Sequence, residues 1–343
     1  MSVGRLASFA AHALIAVVLT VLAAARPAWA AEPPLVMKLA SAAPAGSPWD
    51  ALLKEYKKNV EARAGGRLKV KLVAAAGEDH EAVRRCQAGE VQASATRSGA
   101  VGALVPEVEV VQVPFLFHDF DEADDVVDHV LGPGLAPILR DAGLVLGFWN
   151  ENGFRQFAHR GRFVKSPADL DCQKMRAQES PVHLEMYKDL GASPVPVPAT
   201  EVVAALANGT LDGFDQALVY MLSGGWTQRI KFVTISSHIY QPSLVVFNRA
   251  WFDGLPADLQ AILLEEGAAI QARGRTQVRA LAGKQRKTLT QAGIQVYELT
   301  PAERDVFEQA TAPGRQSFRR VSGKRAARLL DDAEARLAAS RRK

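Results

Sequence analysis

The sequence predicts an α/β protein of two lobes, with mixed β-sheets, strands that cross between the lobes as hinges, and a long helix that spans both lobes. Three observations carry this prediction. The chain of 343 residues is longer than a single hydrophobic core usually supports. Strand and helix signals alternate along the chain, and the alternation restarts near residue 154. A helical pattern over residues 256–288 is long enough, at about 1.5 Å per residue, to reach across two lobes.

In the first half of the chain, short apolar or alternating runs predict strands, and apolar residues at helical spacing predict helices. Turn-forming residues fill 41–49, and Gly65 and Gly66 end the helix that follows them. The predicted strands are 35–40, 68–73, 91–96, 108–113 and 145–149. The predicted helices are 50–64, 81–88 and the acidic segment 121–130.

The second half repeats the alternation. Its predicted strands are 154–159, 174–177, 195–197, 213–214 and 243–248, and its predicted helices are 181–190, 201–207, 219–228 and 256–288. We place lobe I at residues 31–152 and 241–280, and lobe II at residues 153–240 and 281–343. We expect hinges near 150–153 and 239–243. Two such lobes bind ligand between the carboxyl ends of their strands.

The composition is that of an ordinary folded protein. Hydrophobic residues make up 48% and charged residues 23% of the chain, which excludes a disordered or collagen-like protein. The formal charge of +4 falls to +2 without the arginines of residues 1–30, and basic residues crowd 315–343, which we interpret as a solvated helix face. We therefore expect no nucleic-acid partner.

Residues 1–30 have the three zones of a secretory signal peptide. Arg5 supplies a positive charge, an uncharged apolar run follows, and residues 28–30 (AWA) give the small-x-small pattern of a cleavage site. The alternative is a retained membrane anchor, since about 20 apolar residues can span a bilayer. His12 within the run and the cleavage pattern favour the signal peptide, so we expect export and cleavage near Ala30.

No catalytic motif is found in the sequence. G-x-S-x-G, the P-loop and G-x-G-x-x-G are absent, and the near-match to H-E-x-x-H at His80 has Arg84 where the second zinc ligand belongs. We therefore expect a protein that is not an enzyme and needs no metal or cofactor. Cys86 and Cys172 either form a disulfide after export or remain as buried thiols, and the sequence leaves both alternatives open.

Two arginines between residues 146 and 216 indicate a binding site. Arg155 lies among aromatic residues at the start of a predicted strand, and Arg176 lies at the carboxyl end of another. A guanidinium at such a place can bind a carboxylate through two parallel hydrogen bonds. For either arginine taken alone, a surface ion pair is the commoner role.

The whole pattern resembles the DctP family, the extracytoplasmic solute-binding proteins of tripartite ATP-independent periplasmic (TRAP) transporters. The similarity covers nearly all of the mature chain. It includes AGSPW at 45–49, GGRL at 65–68, PFLF at 114–117, ENGFR at 151–155, SPADL at 166–170, KMR at 174–176, LGASPVP at 190–196, AAL at 204–206, NG at 208–209, DG at 212–213 and LPADLQ at 255–260. The resemblance implies a periplasmic binding protein fold in which Arg176 pairs with a ligand carboxylate and Arg155 assists.

The chain departs from the family pattern at several positions near this site. Family members often read DGQEN where this chain has DGFDQ at 212–216, so a polar contact usually made by Asn would fall to Gln216. Glu179 stands where a neutral residue is common, and it either contacts ligand or orients Arg176. Cys172 replaces the usual Gly of a turn. Further expected site residues are Phe214, Asp215, Trp149, Tyr240 and, at the cleft wall, Arg97 together with residues 78–80.

The resemblance implies a periplasmic receptor for a small organic anion, either a mono- or a dicarboxylate. It would close by hinge motion over its ligand and deliver it to the membrane subunits of a TRAP transporter. The alternative is a sensory protein that presents ligand to a membrane receptor. We expect a monomer rather than a dimer.

Overall fold

Two mixed β-sheets form the framework of the protein in the computed structural model, which describes residues 33–75 and 79–342. The first sheet has the strand order β2-β1-β3-β10-β4 and the second has the order β11-β9-β5-β8-β6-β7. The strands are β1 Leu35–Ser41, β2 Leu68–Ala74, β3 Ala93–Arg97, β4 Leu144–Asn150, β5 Phe154–His159, β6 Lys174–Ala177, β7 Ser193–Pro196, β8 Gly213–Ala217, β9 Phe232–Tyr240, β10 Ser243–Asn248 and β11 Gln295–Glu298. The predicted class, two mixed sheets with helices around them, is confirmed.

Helices cover the sheets. They are α1 Pro48–Arg63, α2 Asp79–Gln87, α3 Ser98–Gly102, α4 Phe120–Val126, α5 Gly132–Asp141, α6 Pro181–Asp189, α7 Val202–Ala207, α8 Leu218–Ser223, α9 Arg249–Asp253, α10 Ala257–Ala280, α11 Ala282–Gln291, α12 Pro301–Ala310, α13 Ala312–Val321 and α14 Gly323–Ser340. Short 3₁₀ helices occupy Pro106–Gln112, Pro167–Leu170 and Trp226–Arg229, and a π-helical turn occupies Val127–Leu131.

The first helix shows how local sequence sets these bounds. The Ser47 hydroxyl accepts a hydrogen bond from the Asp50 N–H at 3.2 Å, and Pro48 occupies the first turn, where its missing N–H costs nothing. Gly65 and Gly66, with φ of 58° and 86°, then turn the chain into β2, because glycine tolerates this left-handed backbone conformation.

The chain crosses from one sheet to the other at two neighbouring places. β4 ends at Asn150 and β5 begins at Phe154, while β9 ends at Tyr240 and β10 begins at Ser243. The Asn152 amide joins the two crossings, because it donates to the Gln241 carbonyl at 3.1 Å and to the Ser243 hydroxyl at 2.7 Å. The long helical segment is two helices, α10 and α11, with Leu281 between them.

The C-terminal helix α14 packs on the first sheet's side of the molecule. Five of its apolar residues lie in the same buried cluster as the helices that follow β3: Ala326, Leu329, Leu330, Ala333 and Leu337. Arg336 of this helix and Arg341, the residue after its end, pair with acids of α4: Arg336 with Asp125 at 2.6 Å and Arg341 with Glu122 at 2.7 Å. This helix was expected as a solvated face of lobe II. It differs because its apolar residues repeat at helical spacing and need a core to cover them.

Two further expectations differ from the structure. The predicted strand 108–113 is the 3₁₀ helix Pro106–Gln112, whose alternating sequence PEVEVVQ resembles that of a strand. The predicted helix 219–228 ends at Ser223, before Gly224 and Gly225. The acidic segment 121–130 is helical throughout, as predicted, and the π-helical turn Val127–Leu131 joins α4 to α5 without a break. Helices α3, α5, α9 and α12 and strands β9 and β11 had not been predicted.

Candidate ligand-binding cleft

A cavity of about 90 Å³ lies where both sheets present the carboxyl end of a strand. Arg97 ends β3 of the first sheet, and Arg176 lies near the end of β6 of the second sheet. Both arginines line the cavity. The described residues that line it are His80, Arg97, Gly99, Ala100, Ala103, Arg176, Gln178, Glu179, Ser180, Val197, Pro198 and Ala199. The cavity thus lies at the place where ligands bind open α/β sheets.

Arg176 is the most unusual charged group of this cleft. Its side chain is buried, with 6% of the residue exposed, and its Nε donates to the Val197 carbonyl at 2.9 Å. Its guanidinium lies over the ring of Trp226, 5.6 Å from the ring centre. Across residues 33–75 and 79–342, no carboxylate lies within ion-pair distance of Arg176. Burial, together with the nearby charges of Arg155 and Arg97, lowers the pKa of Arg176 to about 9, so it stays cationic at neutral pH.

Arg155 is in the opposite situation, because its charge is neutralised inside the protein. Its Nε donates to the Asp215 carboxylate in a very short contact, and one Nη donates to the backbone carbonyl of the same residue. The other Nη donates to Gln241 at 2.7 Å and to Gln216 at 3.4 Å. The residue has no exposed surface. Arg155 therefore lies beneath the cavity surface, in a buried polar layer that we call the floor of the cleft.

Asp215 is the centre of this floor. Its carboxylate accepts hydrogen bonds from His183 at 2.9 Å, from His238 at 3.1 Å and from the Tyr187 hydroxyl at 2.7 Å, in addition to Arg155. Burial alone would raise the pKa of Asp215, but Arg155 and the histidines outweigh it and hold the pKa well below its usual value. Asp215 is thus a permanent anion that cancels the charge of Arg155.

Both histidines of the floor are neutral. Burial lowers the pKa of His183 to about 4 and also lowers the pKa of His238. The Nδ1 of His183 accepts a hydrogen bond from the Gln178 backbone N–H at 2.8 Å, so its proton lies on Nε2 and points at Asp215. The Arg155–Asp215 pair therefore has no net charge, and Arg176 remains as an unbalanced cation above it.

A chain of glutamines links the floor to the cleft and to the crossing strands. Gln241 accepts from Arg155 and donates to Gln178 at 3.1 Å and to Gln112 at 3.5 Å. Gln216 accepts from Arg155 and from the Ala217 N–H at 2.9 Å. Neither Gln241 nor Gln178 was expected from the sequence. Their position next to the expected hinge at 239–243 and next to KMR at 174–176 is the sequence signal that could have indicated them.

Glu179 and Arg97 lie where the sequence placed them, at the cleft. Glu179 is exposed and lines the cavity, and within the described part of the chain it forms no hydrogen bond or ion pair with Arg176. Arg97 is half-buried and lines the opposite wall together with His80. Glu78 lies outside the described residues.

Four expected ligand contacts lie beneath the cleft surface. Asp215 belongs to the floor described above. Phe214 is fully buried and stands edge-on to Trp226, with ring centres 5.1 Å apart, because its strand needs an apolar face toward the core. Trp149 packs in the core cluster on one face of the first sheet. Tyr240 is buried at the crossing between β9 and β10, where its hydroxyl donates to Glu151 at 3.2 Å.

A buried glutamate lies beside the cleft, because its hydrogen-bond donor Ser180 lines the cavity. Glu109, on the 3₁₀ helix Pro106–Gln112, is 3% exposed and accepts a very short hydrogen bond from the hydroxyl of Ser180, which caps α6. Burial raises the pKa of Glu109 to about 7, although the Ser180 bond opposes this. Gly102 lies against this carboxylate, so a Cβ there would overlap with it. Sequence reasoning missed Glu109 because it took 108–113 for a strand.

The two cysteines are both free thiols. Cys86 is buried and Cys172 is exposed, so neither the disulfide nor the pair of buried thiols is found. Burial raises the pKa of Cys86 to about 12, which makes it an unreactive core group. Cys172 has a φ of 57°, which explains why glycine suits this turn.

No group of three or more His, Cys, Asp or Glu side chains is placed to hold a metal ion within the described residues. No helix in the same residues has both the length and the apolar character that crossing a membrane requires.

A two-lobed α/β framework with a cationic cleft between its sheets defines a solute-binding protein. The family profile of the bacterial extracellular solute-binding proteins, family 7 (DctP), matches residues 39–320, and the chain belongs to this family. It is accordingly a receptor of a TRAP transporter and not an enzyme.

Individual relatives agree with this assignment. A solute-binding protein of Verminephrobacter eiseniae is 34% identical over 81% of this chain and 83% of its own length. The 2,3-diketo-L-gulonate-binding periplasmic protein YiaO of Escherichia coli is 32% identical over 75% of this chain and 78% of its own length. A TRAP periplasmic solute-binding protein of Bordetella bronchiseptica, with density assigned to pantoate, is 27% identical, covers 88% of this chain and 98% of that chain, and has a TM-score of 0.80.

Proposed function

We propose that the protein binds a small organic carboxylate in the cleft between its two sheets, with Arg176 as the residue that holds the carboxylate. The observation that carries the proposal is the contrast between the two buried arginines. Arg155 has its own carboxylate in Asp215, whereas the partners of Arg176 among the described residues are the Val197 carbonyl and the ring of Trp226. A buried cation without a counter-ion is costly, and an anionic ligand removes that cost.

Two of the relatives with named ligands support an organic acid. One is named for 2,3-diketo-L-gulonate and the other holds density assigned to pantoate. Both compounds carry a carboxylate and hydroxyl groups. Arg176 and Arg97 face one cavity from opposite sheets, so a ligand between them contacts both lobes.

Ligand binding would then favour the closed form. The crossings at 151–153 and 241–242 serve as hinges between lobe I and lobe II, whose expected bounds we keep except that 323–340 belongs with lobe I. Closure excludes water from Arg176, which strengthens the ion pair by lowering the local dielectric constant. The ligand shifts this equilibrium only by its higher affinity for the closed form.

We expect the receptor to deliver its ligand to membrane subunits because the chain belongs to this family. The closed receptor passes its ligand to the membrane subunits of the transporter, after export directed by residues 1–30, which lie outside the described residues. We propose that it acts as a monomer.

The test is the substitution Arg176→Ala. We expect the affinity for a bound acid to fall by about 2–5 kcal/mol, because the anion loses its desolvated partner. The empty variant should be no less stable than the empty parent, since an unbalanced buried cation is removed. Ligand is first identified by mass spectrometry of acid released from the purified protein, and affinity is measured by calorimetry. Arg160→Ala, an exposed arginine outside the cavity lining, is the matched control. Equal affinities of Arg176→Ala and the parent protein would refute the proposal.

A further inference from the structure

Glu179 places a second charge of opposite sign in the same cavity as Arg176. It is exposed, it lines the cavity, and within the described residues it has no hydrogen bond or ion pair. The structure therefore gives it no role in orienting Arg176, whose hydrogen-bond acceptor among the described residues is the Val197 carbonyl. Its carboxylate is available to whatever occupies the cleft.

Arg176 and Glu179 are close in sequence, which limits how far apart their Cα atoms can lie. Arg176 and Glu179 are three residues apart, so their Cα atoms are separated by at most about 11 Å. With its carboxylate on Arg176, a ligand of four to six carbons extends through the space that Glu179 faces. Glu179 lines the same cavity as Arg176, so a ligand held by Arg176 lies beside it.

A carboxylate side chain has a definite preference for its partner. It accepts hydrogen bonds and donates none, so it favours a hydroxyl or an ammonium group. It repels a second carboxylate, and the repulsion grows when closure removes water. A neutral residue at this position would have no such repulsion.

We propose that Glu179 makes the receptor selective for monocarboxylates that carry a hydrogen-bond donor, and that it excludes dicarboxylates. This inference rests on the proposed function, since it assumes that Arg176 holds the first carboxylate. It narrows the proposed class of ligands from carboxylates in general to monocarboxylates, because a guanidinium by itself binds mono- and dicarboxylates alike.

Matched pairs of sugar acids test the selectivity. D-erythronate and meso-tartrate share one four-carbon chain and differ only in whether the terminal carbon is a hydroxymethyl or a carboxylate, and galactonate and galactarate form the same pair with six carbons. Calorimetry on the parent protein should give at least tenfold tighter binding of the monocarboxylate for at least one pair. Glu179→Gln keeps the shape and removes the charge, and it should reduce that ratio at least fivefold, mainly by tighter binding of the dicarboxylate. Glu265→Gln, an exposed glutamate on α10, is the control and should leave the ratio unchanged.

The outcomes separate this inference from the proposed function. If neither pair shows tighter binding of its monocarboxylate, or if Glu179→Gln leaves the ratio unchanged, the selectivity of Glu179 is overturned while carboxylate binding through Arg176 stands. If a broad carboxylate screen finds no acid whose binding depends on Arg176, the proposed function fails, and this inference fails with it.

Discussion

Glu109 offers the sharpest test of the electrostatics around the cleft. It is buried between the 3₁₀ helix Pro106–Gln112 and the first turn of α6, and the Ser180 hydroxyl is its hydrogen-bond donor. Burial raises its pKa from 4.5 to about 7. In the unfolded chain the same carboxyl loses its proton near its usual pKa. The folded state therefore binds this proton more tightly than the unfolded state does.

The size of the effect follows from the shift. A raised folded-state pKa contributes stability that is fully present below about pH 4.5 and is lost as the pH rises through about 7. Each pKa unit corresponds to about 1.4 kcal/mol, so about 3 kcal/mol of unfolding free energy is lost between these limits. Glu109→Gln carries a neutral amide at every pH, so its unfolding free energy does not include this pH-dependent loss. We expect the variant to match the parent protein within about 1 kcal/mol at pH 4.5 and to exceed it by up to about 3 kcal/mol at pH 8.

The assay is urea unfolding of both proteins without ligand at intervals from pH 4.5 to pH 8. Other groups titrate in this range, so the quantity compared is the difference in unfolding free energy between variant and parent at each pH. Ser180→Ala serves as a second variant, because it removes the hydrogen bond and leaves the carboxyl in place. If the difference between Glu109→Gln and the parent does not change with pH, Glu109 does not titrate as its burial implies.

Three further substitutions test other parts of the structure. Cys172→Gly should raise the unfolding free energy by about 0.5–1 kcal/mol because Cys172 has a φ of 57°, and a lower thermal midpoint under reducing conditions would contradict this. Asp215→Asn leaves Arg155 as a buried charge without its anion and should cost about 3–5 kcal/mol in urea unfolding, whereas a loss below about 1 kcal/mol would show that the pair is not isolated from water. Leu330→Ala should cost about 2–5 kcal/mol in the same assay because α14 is part of the core, while a negligible loss would support the solvated face expected from the sequence.

Much of the fold could be predicted because its signals are local. The strand Lys174–Ala177 and the strand Ser243–Asn248 have the predicted bounds, and the glycines after α1 mark its end correctly. The failures are places where tertiary packing overrides the local pattern. PEVEVVQ alternates like a strand, yet Pro106 starts a 3₁₀ turn there and Glu109 points inward to Ser180, a residue 71 positions away.

The site could be predicted only in part for the same reason. In the sequence, Arg155 and Arg176 are equivalent, since each lies on a strand next to apolar residues. They differ because Asp215, sixty residues after Arg155, binds one of them and not the other. That pairing depends on β5 and β8 lying side by side, with Phe157 opposite Asp215 in the register. The family resemblance indicated Arg176 as the residue that binds the carboxylate. Composition and spacing alone did not distinguish it from Arg155.

The charge of Arg176 also bears on what a carboxylate clamp contributes to affinity. The fall in its pKa from 12.5 to about 9 corresponds to a cost of about 5 kcal/mol for keeping this cation in the empty cleft, and a bound carboxylate offsets that cost. The ligand carboxylate gives up its own hydration on binding, so the contact between the two charges does not set the affinity by itself. A dissociation constant of 1 μM needs about 8 kcal/mol, to which the rest of the ligand and lobe closure also contribute. Arg176 therefore binds the carboxylate of many different acids. The groups that face the other end of the ligand, Glu179 among them, decide which acid is bound tightly.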